Sequence, residues 1–218
     1  MSIFKFKPFT FSVFVISLIQ FICLGFGFLI PNYSQLVSGK SPLIAGCLLL
    51  PGCLIGAFLA PVSGRILDIL GAKKPILFGN TCIIIAAFSY SILANNLTLV
   101  TFILFYIIFT IEQGFSGGNT MTNGIKHLPE NLNSDGNAVC NTLQQLSGAI
   151  GTSIVSTIVS AEQTKFPKQL AVSKMLGSRN AFYLLFILAI LALVCSLYVF
   201  HYSNHQFNNI TPEESIEA

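Results

Sequence analysis

The chain has 218 residues, of which 53% are hydrophobic and only 9% charged, with a mean hydropathy of +0.76. Soluble domains carry about 25% charged residues, so this composition cannot cover a water-facing surface and excludes globular, nucleic-acid-binding and disordered proteins alike. The formal net charge is +3, from 11 basic and 8 acidic side chains; in a membrane protein their placement matters more than their sum.

A helix that crosses about 30 Å of hydrocarbon needs roughly 20 apolar residues, and six stretches qualify. The first, 9–36, follows Lys5 and Lys7 and resembles a signal peptide at first sight. It is too long for that role and has no small-residue cleavage site after it, so it reads as a retained membrane helix. The second, 42–62, opens with Ser41 as N-cap and Pro42 at the first helical position. The third covers 75–94, and the fourth starts near residue 97 after an Asn-Asn turn. The fifth covers 138–161 and the sixth 181–201. The expected fold is all-α: a six-helix transmembrane bundle over residues 1–202, then an acidic, disordered cytoplasmic tail over 203–218.

Basic residues set the expected orientation. Lys5, Lys7, Arg65, Lys73, Lys74 and Lys126 fall on one side of a six-span topology, against Lys40 on the other. The stretch 162–180, read as a loop, adds Lys165, Lys168, Lys174 and Arg179 to the second side. Early spans usually dominate topology, so both termini are expected in the cytoplasm.

The most specific short motif joins the second and third spans. Gly64, Arg65, Asp68, Gly71, Lys73 and Lys74 read as a tight turn, in which glycines close the loop and Asp68 caps a helix or pairs with a cation. The fifth span is the least apolar. Gly148, Thr152, Ser156 and Ser160 form an i, i+4 stripe on it, with Asn141, Gln144 and Gln145 towards its start. Small and polar residues along one side suit a helix interface or a water-filled cavity, not lipid.

Glu112 is the single acidic residue deep in an apolar run. An intramembrane carboxylate costs at least about 2.5 kcal/mol unless paired, protonated or hydrated, which makes it a functional candidate. Gln113 and Asn119 flank a glycine-rich, polar segment that reads as loosely packed. These three residues are the expected substrate or proton contacts. The six cysteines, Cys23, Cys47, Cys53, Cys82, Cys140 and Cys195, lie in or beside apolar runs without metal-ligand spacing and read as small hydrophobes. No catalytic constellation, metal site or cofactor motif emerges, so an enzyme is not expected.

The run Gly64-x-x-x-Asp68-x-x-Gly71-x-Lys73-Lys74 resembles the loop motif of the major facilitator superfamily. The preceding stretch 41–52 is similar to the corresponding span of its fourteen-helix drug:proton antiporter branch. Residues 135–151 resemble that branch's penultimate helix. The resemblance covers about residues 7–200 and corresponds to the C-terminal six-helix half of such a transporter. It implies proton-coupled multidrug efflux of hydrophobic or cationic small molecules through a cavity shared by two halves that rock to alternate access. The lipid bilayer is then one partner, and a separate N-terminal half, or a second copy, is another; nucleic acid is not. Alternatives of a different kind are a non-transporting six-helix remnant and an accessory or scaffold protein.

Overall fold

The computed structural model describes residues 2–95, 97–165 and 170–208. Its architecture is a bundle of long helices. Helix α1, Lys7–Leu36, starts after Phe6 with Pro8 in its first turn, where a missing N–H costs nothing. The second expected span is two helices, α2 (Pro42–Cys47) and α3 (Leu50–Leu70). Pro51 explains the break, because it has no N–H to offer the Cys47 carbonyl. Ser41 accepts from the Ile44 N–H and caps α2 as expected.

The Gly64–Lys74 motif is mostly not a loop. Residues 64–70 form the last turns of α3, and only two residues separate it from α4, Lys73–Leu93. Gly71, at φ 75°, makes the reversal, a backbone geometry that favours glycine. Asp68 is exposed on α3 and caps nothing; Ala72 holds the N-cap position of α4 without a side-chain bond.

After α4, a capping box starts α5, Leu99–Glu112: Thr98 accepts from the Thr101 N–H, and the Thr101 hydroxyl accepts from the Thr98 N–H at 2.8 Å. A π-helical segment, Gln113–Gly117, then leads into α6, Gly118–Ile125. Helix α7 spans Asn133–Lys165 and α8 spans Leu170–Asn208.

Two sequence expectations are corrected by these last helices. The 162–180 stretch is largely helical, so Lys165, Lys174 and Arg179 lie on helices; Lys168 is outside the described residues. Close packing explains it, since a Cβ on Gly177 would sit 2.9 Å from the Val159 Cα, leaving α8 in backbone contact with α7 ahead of its apolar run. Likewise 203–208, assigned to a disordered tail, continue α8, whereas 209–218 are outside the described residues. Hydropathy detects the part of a helix that suits hydrocarbon, not the polar turns that extend it.

Five stretches are long and apolar enough to cross a membrane: Lys7–Leu36, Pro42–Leu70, Lys73–Leu93, Leu99–Ile125 and Val172–His201. Helix α7 is the sixth long element and more polar. Helix α1 packs along α7, α8 and α6; α4 lies between α8 and α5; α3 leans on α5 and the π segment. The core is aromatic. Tyr90 stacks on Phe182 at 5.0 Å, Phe26 meets Phe109 at 5.0 Å, and the Tyr90 hydroxyl donates to the Phe102 carbonyl. The Tyr33 hydroxyl donates to the Ala94 carbonyl, tying α1 to the end of α4.

Candidate functional site

Thirteen apolar or hydroxyl residues lead α5 from Leu99 down to Glu112, which ends that helix where the π segment begins. Glu112 is fully buried. Gln113 donates from Nε2 to Glu112 Oε2 at 2.8 Å, while Oε1 is buried without a hydrogen-bond partner. Cys23 on α1 and Cys82 on α4 are close enough to feel its charge. On the α3 side, the Cys53 Sγ lies 3.7 Å from the Tyr106 hydroxyl. A carboxylate so placed has one oxygen available to a proton or a cation, and among the described residues no group of opposite charge acts on it.

The surroundings of Glu112 are tighter than the glycine-rich sequence suggests. A Cβ on Gly114 would sit 3.0 Å from the Leu59 Cβ, and one on Gly79 would sit 2.8 Å from the Ser116 Cβ. The glycines therefore let α3 and α4 close on the π segment from two sides; they do not open it to water there. Gly118, by contrast, faces open space. Mid-helix π turns of this kind are rare and concentrate at functional sites.

Below Glu112 runs a chain of polar contacts that sequence reasoning missed. The Ser116 hydroxyl donates to Asn80 Oδ1 at 2.8 Å, and Asn80 Nδ2 donates to the Ser196 hydroxyl at 2.7 Å. Ser116 also lies 3.3 Å from the Thr120 hydroxyl. Asn119, one of the expected contacts, donates to the Ser63 hydroxyl at 2.7 Å and to the Phe115 carbonyl, so its amide nitrogen is engaged with α3 and its own helix. Asn80 is the one amide side chain in α4, a signal present in the sequence but without any hint of its partners.

The other expected residues lie apart from this cluster. On α7, Gly148 is buried against Leu24 of α1 and Gly151 against the Phe21 backbone, while Asn141 and Gln145 are exposed. Gln144, Thr152 and Ser156 are half-buried between these faces. Asn141 and Thr152 bond back to carbonyls of their own helix, those of Asn137 and Gly148. Arg65, Asp68, Gly71, Lys73 and Lys74 are exposed at the bundle end, and Gly64 is half-buried there. Among the described residues no group of three His, Cys, Asp or Glu side chains could hold a metal ion.

Residues 1–152 match the sequence profile of the Major Facilitator Superfamily. The chain belongs to this superfamily. It is 31% identical over 207 residues to the lincomycin resistance protein LmrB of Listeria monocytogenes, a match covering 91% of this chain and 44% of that relative. It is 34% identical over 170 residues to the MFS-type transporter YhcA of Bacillus subtilis, covering 78% of this chain and 32% of the relative. The multidrug efflux pump LfrA of Mycolicibacterium smegmatis is 26% identical over 161 residues, 73% of this chain and 32% of the relative. The chain thus spans less than half the length of these relatives. As a member of the superfamily it is a membrane protein, in keeping with the five stretches long and apolar enough to cross a bilayer.

Proposed function

We propose that the chain supplies one six-span half of a proton-coupled exporter of hydrophobic or cationic small molecules, and that Glu112 is its proton- and cation-responsive group. The carrying observation is the wholly buried carboxylate with Oε1 unpartnered at a π-helical break. Releasing its proton creates a charge that attracts a cationic substrate; taking the proton back removes that attraction. Relatives named for lincomycin resistance and multidrug efflux support the substrate class.

In this reading α7 is the sixth span, both termini are cytoplasmic, and the protein does no covalent chemistry and uses no cofactor. A separate N-terminal half, or a second copy, covers the outward polar side of α7, where Asn141 and Gln145 are exposed, because lipid offers no hydrogen bonds to those amides. The test is co-expression with the N-terminal half of a related transporter in a pump-deficient host, followed by efflux of a cationic dye. Glu112→Gln keeps the shape and removes the charge, and is expected to reduce energy-dependent efflux at least tenfold, the loss of about 1.4 kcal/mol. Efflux with unchanged rate and pH dependence in that variant refutes the assignment.

A further inference from the structure

Helix α5 and helix α6 are one span by length, yet they are joined by a π turn, and something must hold that turn in register. A π segment carries an extra residue relative to an α-helix. Relaxation to α geometry would rotate everything beyond it by about 100° relative to α5. Asn119 would then leave Ser63, and Ser116 would leave Asn80. The register is therefore maintained by contacts from outside the helix.

We propose that Asn80 is the positioning residue of the Glu112 site: its amide bridges Ser116 and Ser196, holds residues 113–117 in the π register, and so fixes Gln113, the hydrogen-bond donor to Glu112. Asn80, Ser116 and Ser196 are all buried, at 0%, 0% and 2% exposure. Asn80 uses both ends of its amide, accepting from Ser116 at 2.8 Å and donating to Ser196 at 2.7 Å. The Ser196 hydroxyl in turn donates to the Ala192 carbonyl, so the chain of bonds ends on the α8 backbone. The neighbouring Gly79 brings α4 close enough to make the first bond short, since a Cβ there would lie 3.0 Å from the Ser116 nitrogen. The bonds link three elements, α4, the π segment and α8, at a depth where hydrocarbon supplies no substitute partner.

This inference rests on the reading of Glu112 given above, but it is measured separately. The titratable groups within electrostatic range of Glu112 are Cys23 of α1 and Cys82 of α4, with Cys53 of α3 beside Tyr106 and Gln113 hydrogen-bonded to the carboxylate. None of these is a cation, so the position of the carboxyl among them decides its titration.

The experiment uses the full chain in lipid nanodiscs. Backbone hydrogen exchange over 113–120 reports the register, and the infrared carboxyl band lost in Glu112→Gln reports the site. Asn80→Leu keeps the approximate volume without the bonds, and Ser116→Ala removes one bond with less risk to folding. Exchange over 113–120 is expected to rise about tenfold in each variant, the scale of one interhelical hydrogen bond, and no further in the double variant. Exchange in the middle of α4 and α8 stays as in the parent. The Glu112 band is expected to shift its pH midpoint by about one unit in both. Unchanged exchange over 113–120, or a rise spread evenly over the chain, overturns the proposal. Local exchange that rises while the Glu112 titration stays fixed also overturns it, since Asn80 would then position nothing at the site. If Asn80→Leu does not fold, Ser116→Ala and Ser196→Ala carry the same comparison. Absence of a titrating Glu112 band in the parent refutes the functional reading of Glu112, and the exchange result still judges whether Asn80 holds the register.

Discussion

Gly151 and Gly148 lie one turn apart on the face of α7 that packs against α1, and the same substitution should have opposite effects at the two. A Cβ on Gly151 would lie 2.5 Å from the Phe21 carbonyl oxygen and 3.0 Å from its Cα. Both are backbone atoms and cannot turn aside. Ordinary contact begins near 3.4 Å, so α1 and α7 must separate by about 0.9 Å locally. A gap of that size forfeits a quarter to a half of the dispersion energy of the contacts it opens, and overpacking of this kind costs about 1–3 kcal/mol. Replacing glycine by alanine within a helix returns about 1 kcal/mol. Gly151→Ala should therefore destabilise by up to about 2 kcal/mol. At Gly148 the Cβ would meet Leu24 Cδ1, the far end of a flexible side chain that is 37% exposed and can rotate away. Gly148→Ala should be neutral or stabilising by up to about 1 kcal/mol. Reversible unfolding in mixed detergent micelles, followed by circular dichroism, measures the difference. Equal effects of the two substitutions would refute the backbone-contact argument.

Two further outcomes follow from residues at the ends of the bundle. Burial holds His127, just past α6, below its ordinary value of 6.5, so the folded protein favours the neutral imidazole. Below pH 6.5 the unfolded chain binds that proton more readily; the stabilisation is present above pH 6.5 and is lost as pH falls through the depressed folded value. His127→Gln should flatten the acid limb of the stability profile below pH 6.5, and an unaltered acid limb counts against it. In a single-cysteine background, Lys40→Cys should react with an impermeant maleimide added to intact cells, and Lys126→Cys only after permeabilisation; the reverse pattern overturns the proposed orientation.

The features legible from residue order are those that depend on near neighbours in the chain. The all-α membrane class follows from apolar runs that match bilayer thickness, the N-cap of α2 from Ser41-Pro42, and the isolation of Glu112 from the absence of any other acid in its run. Helix ends were less legible. Hydropathy sees lipid-compatible residues, whereas 64–70, 174–180 and 203–208 are helical because the backbone bonds continue there, helped at Gly177 by close packing on Val159. The break before Pro51 was visible in principle, as a proline four residues beyond a carbonyl it cannot serve.

What tertiary structure alone decided is the surroundings of Glu112. The glycine-rich segment between Gln113 and Asn119 reads as loosely packed in the sequence, and the fold closes α3 on it at Gly114 and α4 on it through Gly79. Asn80 reads as one amide in an apolar helix; its partners Ser116 and Ser196 lie 36 and 116 residues away. The π turn has no local signature, because its register is set by those distant bonds and by the contacts of α3 and α4 with the segment itself. Local sequence determines that a helix forms and which solvent it tolerates, since those terms sum over adjacent residues. Which side chains meet within it depends on helix crossings, and these are settled only when the whole bundle packs.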